Sequence, residues 1–127
     1  MGDLRHLKSV LVVEDEGLIR IDLEDTLLTA GADSVIAAAN IAEASAALDR
    51  GAPDAAVLDL HLGRDGWSYE LARRLQAAGI PFVFSSGSSD APEGFAGVPW
   101  LLKPFSGAQL VEALCRVTGG CAAEAMG

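Results

Sequence analysis

A chain of 127 residues, half of them hydrophobic and 21% charged, can bury one substantial core without disulfides or structural metals and is too apolar for a disordered protein. Its net charge of −9, with no run of Lys or Arg longer than Arg73–Arg74, excludes the electrostatic footprint of a direct nucleic-acid binder. Its apolar stretches, such as Val10–Val13 and Ala55–Leu58, are far too short to span a bilayer, and the N-terminus shows no secretory hydrophobic region, so the expectation is a cytoplasmic protein with no membrane partner.

The first element is the apolar run Val10–Val13, which enters a pair of acids and reads as a strand. From Glu16 to Ala30, residues Ile19, Leu23, Leu27 and Ala30 recur at helical spacing, and Gly31 closes that amphipathic helix. Ser34–Ala38 reads as a second strand, and Asn40 with Glu43 offers a capping box for a second helix. Ala55–Leu58 is a third strand entering Asp59. After a loop at Gly63–Gly66, a third helix carries Leu71, Leu75 and Ala78 on one face and stops at Gly79 and Pro81. Pro81–Phe84 and Val98–Leu102 read as the fourth and fifth strands. Ser106 and Gln109 cap a last helix whose core face is Leu110, Ala113, Leu114 and Val117.

Continuous apolar strands alternating with helices imply a parallel sheet covered on both faces, hence a doubly wound five-stranded α/β domain. Between the fourth and fifth strands, Ser88–Gly97 holds Pro92, Gly94 and Gly97, so the fourth of the five helices is expected to be short or irregular. A single domain covers residues 1–127, with its core at about 9–117 and a flexible tail at 119–127. Cys115 and Cys121 stand in no CxxC arrangement and are expected as reduced thiols.

In an open parallel sheet, ligands bind at the carboxyl ends of the strands. Strand one ends at Glu14 and Asp15, strand three at Asp59, strand four at Ser85, Ser86 and Gly87, and strand five at Lys103 and Pro104. Each feature alone has an ordinary structural explanation: an acid pair starts helices, an Asp caps a turn, and a lysine before proline sits in a solvated loop. Their joint arrival at one rim does not. Three carboxylates there repel one another unless a cation sits among them, and hard oxygen ligands favour Mg²⁺. A carboxylate is also a competent nucleophile toward a phosphoryl group, whose oxygens need cations and donors such as Lys103 and the Ser86 hydroxyl.

The segments Val12-Val13-Glu14-Asp15-Glu16, Val57-Leu58-Asp59-Leu60 and Leu102-Lys103-Pro104-Phe105 resemble the signature segments of bacterial two-component response-regulator receivers, over about Ser9 to Val117. Pro81-Phe82-Val83-Phe84-Ser85-Ser86-Gly87, with Leu60-His61-Leu62-Gly63, is similar to the single-domain alphaproteobacterial receivers with a Phe-Ala-Thr-Gly-type motif. The resemblance implies a flavodoxin-like strand order 2-1-3-4-5 and a stand-alone receiver phosphorylated on Asp59. It implies Asp15 as a direct Mg²⁺ ligand, Glu14 acting partly through water, Asp59 itself, and the His61 backbone carbonyl as a further ligand. Lys103, Ser86 and the Gly87 amide would hold the phosphoryl oxygens, Pro104 would set the lysine loop, and Trp100 would rotate as Ser86 shifts. Ser86 stands where Thr is commoner, and Ser85 where the narrower group has Ala. The implied partners are a sensor histidine kinase or histidine phosphotransfer protein and a downstream protein.

Competing readings are a phosphorylation-independent interaction module on the same fold and an Asp-nucleophile phosphatase. The second is weakened by His61 standing where such enzymes place a second acid, so no turnover beyond self-phosphorylation and self-dephosphorylation is expected. A flavin site lacks the Ser/Thr-rich phosphate cradle it would need in the first loop.

Overall fold

Short apolar runs with no polar face can be buried only in a sheet covered on both sides, and the chain builds one. The computed structural model describes residues 3–87 and 93–119. In chain order come β1 (Ser9–Val13), α1 (Gly17–Thr29), β2 (Ser34–Ala38), α2 (Ile41–Arg50) and β3 (Ala55–Asp59). A 3-10 turn at Gly63–Asp65 leads to α3 (Tyr69–Ala77), β4 (Phe82–Ser86), β5 (Trp100–Leu102) and α4 (Gly107–Thr118). Every pairing is parallel and the order is β2-β1-β3-β4-β5, a flavodoxin-like double winding.

Alternation along the strands divides the core into two layers. Leu11, Val13, Ala56, Leu58, Phe82 and Phe84 pack under Ala44 and Ala47 of α2 and Leu71, Ala72 and Leu75 of α3. Val10, Val12, Ala55, Val57 and Val83 pack under Leu23 and Leu27 of α1 and Leu110, Ala113 and Leu114 of α4. The Ser106–Gln109 capping box forms as expected, each side chain bonding the other's backbone amide.

Several details differ from the sequence expectation. Asn40 caps Glu43, but the Glu43 carboxylate accepts from the Ala39 amide, one residue earlier than a true box requires. Ala78 is exposed, because α3 ends one residue sooner and Gly79 turns away at φ 73°; Ala72 fills its place in the core. β4 runs on through Ser86, and β5 starts only at Trp100. No helix occurs in the described part of the β4–β5 crossover, where residues 93–99 make turns and irregular backbone, while 88–92 lie outside the described residues. The last helix is therefore α4. Cys115, expected as a reduced thiol, is disulfide-bonded; Cys121 lies outside the described residues.

Two core residues precede β1. Leu4 is fully buried and Leu7 nearly so, packed in the layer beneath α1 and α4. Backbone hydrogen bonds from Leu4 N–H to the Ala30 carbonyl and from Asp33 N–H to the Leu7 carbonyl stitch this segment to the end of α1. Gly31 permits the approach: its φ is 115°, and a Cβ there would lie 2.6 Å from the Arg5 side chain. On the opposite side of α1, Leu18 is 80% exposed.

Leu4→Ala is expected to lower unfolding stability by about 2–4 kcal/mol, the usual cost of a cavity at a fully buried leucine. Leu18→Ala should change it by less than about 0.5 kcal/mol. Urea denaturation of the two variants checks the contrast.

Candidate functional site

Parallel register puts the strand ends on one rim. Val13 pairs with Leu58, Asp59 with Ser85, and Ser86 with Leu102, so the residues that follow converge. Oxygens of Glu14, Asp15 and Asp59 lie within 4.8 Å of one another. The Lys103 ammonium reaches into this group, 2.9 Å from Glu14 Oε1 and 3.0 Å from Asp59 Oδ2. Glu14 and Asp59 are buried, Asp15 is exposed, and Lys103 is half-buried.

Each member is held by its own loop. The Glu16 N–H donates to Glu14 Oε2 at 3.1 Å, and Arg20 donates to the Glu14 carbonyl at 2.9 Å, bracing the turn after β1. The His61 N–H donates to Asp59 Oδ1 at 3.3 Å. The fully buried Ser68 hydroxyl contacts the carbonyls of Asp59 at 2.6 Å and Leu60 at 3.2 Å, tying the start of α3 to the end of β3. β4 anchors both flanking loops: its Ser85 carbonyl accepts Leu60 N–H at 2.9 Å, and its Ser86 carbonyl accepts Lys103 N–H at 2.7 Å.

Burial is the dominant influence on Glu14 and pushes its pKa above the ordinary carboxylate value, with the Asp59 charge adding to the rise, while Lys103 and the Glu16 amide offset only part of it. Burial also pulls Lys103 down, but its hydrogen bonds and attraction to Glu14 and Asp59 outweigh that and hold it above the ordinary lysine value. The two shifts agree physically. Glu14 is the more buried partner and bears the larger desolvation cost, so one ammonium does not fully compensate two buried acids.

An additional cation fits this donor set. The ligand atoms are hard carboxylate oxygens, and Gly63, at φ 56°, leaves room beside Asp15, where a Cβ would sit 2.7 Å from Asp15 Oδ2. The turn after Asp59 also leaves a carbonyl to offer. His61 bridges Trp67 through hydrogen bonds from Leu62 N–H to Gly66 and from Ser68 N–H to Leu60, so neither the N–H nor the carbonyl of His61 takes part.

The remaining expected residues fall nearby. Ser86 is buried at the end of β4, Gly87 follows it in a bend, and Lys103–Pro104 is a cis peptide. Trp100 is half-buried on β5, in register with Phe84 and packed against the α2–α3 layer. Sequence reasoning missed Ser68, Arg20 and Gly63 as supports. Of these, only Gly63, as a glycine in the loop after Asp59, carried a visible signal. It also missed an aromatic ladder: the His61 ring meets Trp67 edge-on, Trp67 stacks on Tyr69, Tyr69 stacks on Phe95, and Phe95 packs edge-on against Phe84.

The family model described as the response regulator receiver domain matches residues 10–115. No curated protein matches the chain. Among solved structures, SdrG from Sphingomonas melonis is 37% identical, with 87% of this chain and 96% of that chain covered at a TM-score of 0.77. A response regulator receiver protein from Sinorhizobium medicae is 30% identical over 88% of this chain and 94% of its own, with a TM-score of 0.78. The chemotaxis response regulator CheY4 of Vibrio cholerae is 27% identical over 87% and 98%, with a TM-score of 0.74.

A carboxyl whose pKa rises on folding binds its proton more tightly in the folded state. It therefore favours the fold below its ordinary range and costs stability as pH climbs through the raised value. Glu14→Gln is thus expected to raise the melting temperature at neutral pH in chelator-containing buffer. The gain should shrink toward zero as pH falls into the ordinary glutamate range. Thermal melts across pH check both the sign and the trend.

Proposed function

We propose, from the fact that this chain belongs to the response regulator receiver family, that it accepts a phosphoryl group on Asp59 in a Mg²⁺-dependent reaction and signals through the resulting change of conformation. The observation that carries this reading is the Lys103 ammonium held between the carboxylates of Glu14 and Asp59, beside Asp15.

Asp59 is held from two sides, by the His61 amide and by Lys103, so its carboxylate is oriented before a donor arrives. In the transfer, one Asp59 oxygen bonds to phosphorus while the bond from phosphorus to the donor's leaving atom breaks and its electron pair departs with the donor. Lys103 then follows the negative charge onto a phosphoryl oxygen. The Ser86 hydroxyl and Gly87 amide, at the end of the neighbouring strand, serve the other oxygens. Asp15, Glu14, Asp59 and the His61 carbonyl would hold Mg²⁺, which when bound neutralises charge on the transferring group.

The switch would pass from Ser86 to Trp100, whose half-buried ring lies against the layer it would enter more deeply. The donor is a sensor histidine kinase or histidine phosphotransfer protein, and a downstream protein reads the new state, in the cytoplasm where such donors present their phosphohistidine. The Phe84-Ser85-Ser86-Gly87 run and the 37% identity to SdrG support the narrower likeness to single-domain alphaproteobacterial receivers. The intact acid cluster and its lysine count against an interaction module indifferent to phosphorylation, since such a module has no need to keep buried acids together.

Incubation with acetyl phosphate and Mg²⁺ is expected to add the mass of one phosphoryl group, absent without Mg²⁺ and absent in Asp59→Asn. Intact mass spectrometry reads the result. An adduct that survives in Asp59→Asn would overturn the assignment.

A further inference from the structure

Ser85 is 1% exposed, and its hydroxyl oxygen is the one buried side-chain polar atom without a hydrogen bond among the described residues. A buried hydroxyl left unpaired is costly, so its retention calls for a state in which it finds a partner. Alternation fixes where it points. Val12, Val57, Val83 and Leu101 share the layer beneath α1 and α4, so the residues two positions further on, Glu14, Asp59, Ser85 and Lys103, lie over that same layer. Ser85 also pairs in register with Asp59, and its carbonyl holds the Leu60 amide at 2.9 Å. Adjacent strands run about 4.8 Å apart, within the reach of a rotation about the Ser85 Cα–Cβ bond.

In the unmodified site, Asp59 has two donors already, the His61 amide at 3.3 Å and Lys103 at 3.0 Å. Once a phosphoryl group sits on Asp59, the ammonium is drawn to it, and the carboxyl oxygen that bonds phosphorus is left short of a donor. We infer that the Ser85 hydroxyl supplies that donor during hydrolysis of the phosphorylated site and so shortens the lifetime of the signal. Water oxygen bonds to phosphorus and gives up one proton to solvent, the bond from phosphorus to the Asp59 oxygen breaks, and the electron pair returns to Asp59 as a carboxylate, releasing inorganic phosphate. Ser85 hydrogen-bonds this oxygen as its charge develops and keeps its own proton. Ser85 is therefore a catalytic residue of dephosphorylation. The inference rests on Asp59 as the phosphoacceptor.

The test loads the full chain, Ser85→Ala and Ser85→Thr with acetyl phosphate and Mg²⁺, removes the donor, and follows loss of the adduct by intact mass, alongside melting temperatures without donor. Ser85→Ala is expected to retain its adduct roughly 3–10 times longer, the effect of one donor lost from the transition state. Its melting temperature should be unchanged or higher, and Ser85→Thr should keep the wild-type lifetime. An unchanged lifetime in Ser85→Ala, a lowered melting temperature there, or a Thr variant that behaves like the Ala variant would overturn the inference and leave Asp59 as acceptor. A wild-type chain that takes no phosphoryl group would overturn the acceptor reading and this inference with it.

Discussion

Three carboxylates crowded at one rim of a sheet are a standing electrostatic cost, and the arrangement of the molecule around them follows from containing it. Lys103 is brought back from the far side of β4 to sit between Glu14 and Asp59. The two loops that carry Asp59 and Lys103 are pinned to successive carbonyls of one strand, Ser85 and Ser86. One lysine between two buried acids leaves the centre short of positive charge, and burial adds to the cost by pushing the Glu14 pKa up. A cation among these oxygens would relieve that deficit. The same imbalance that weakens the fold makes the rim responsive.

The large elements were legible in the sequence because they rest on periodicity. β2 is found at Ser34–Ala38, and the Ser106 cap of α4 forms as its residue types dictate. The acid pair, Asp59 and Lys103 were legible because strand ends in a parallel sheet meet whatever the loops do. What escaped depends on contacts with no local pattern. Leu4 and Leu7 sit in a polar segment too short for a periodicity, and their burial comes from Gly31 letting the chain pass close to α1. Ser68 carries no pattern in the sequence, and only the fold shows its hydroxyl on the Asp59 carbonyl. Ala78 failed in the opposite sense: its spacing suits the core, but α3 stops before reaching it.

The aromatic ladder joins parts of the chain that the sheet leaves separate. Trp67 and Tyr69 follow the loop after Asp59, Phe95 belongs to the crossover between β4 and β5, and Phe84 lies at the centre of β4. His61 stands at the outer end of this stack and at the acid rim. The rings therefore give the loop beside Asp59 a packed contact with the crossover in addition to the backbone connection.

The parallel register has a consequence for how this chain can vary over evolutionary time. A strand shifted by one residue turns every side chain to the opposite face, so a single-residue insertion or deletion within β3 would carry Asp59 away from Lys103 and bury it among Leu58's neighbours. The same change within β1 would displace Glu14. Length changes are therefore expected to cost least at the opposite, amino-terminal end of the sheet, as at the exposed Gly51 and Ala52 before β3. What each strand must keep is the count of residues from its paired core to its own rim side chain, a constraint that the number of residues in the amino-terminal connections does not share.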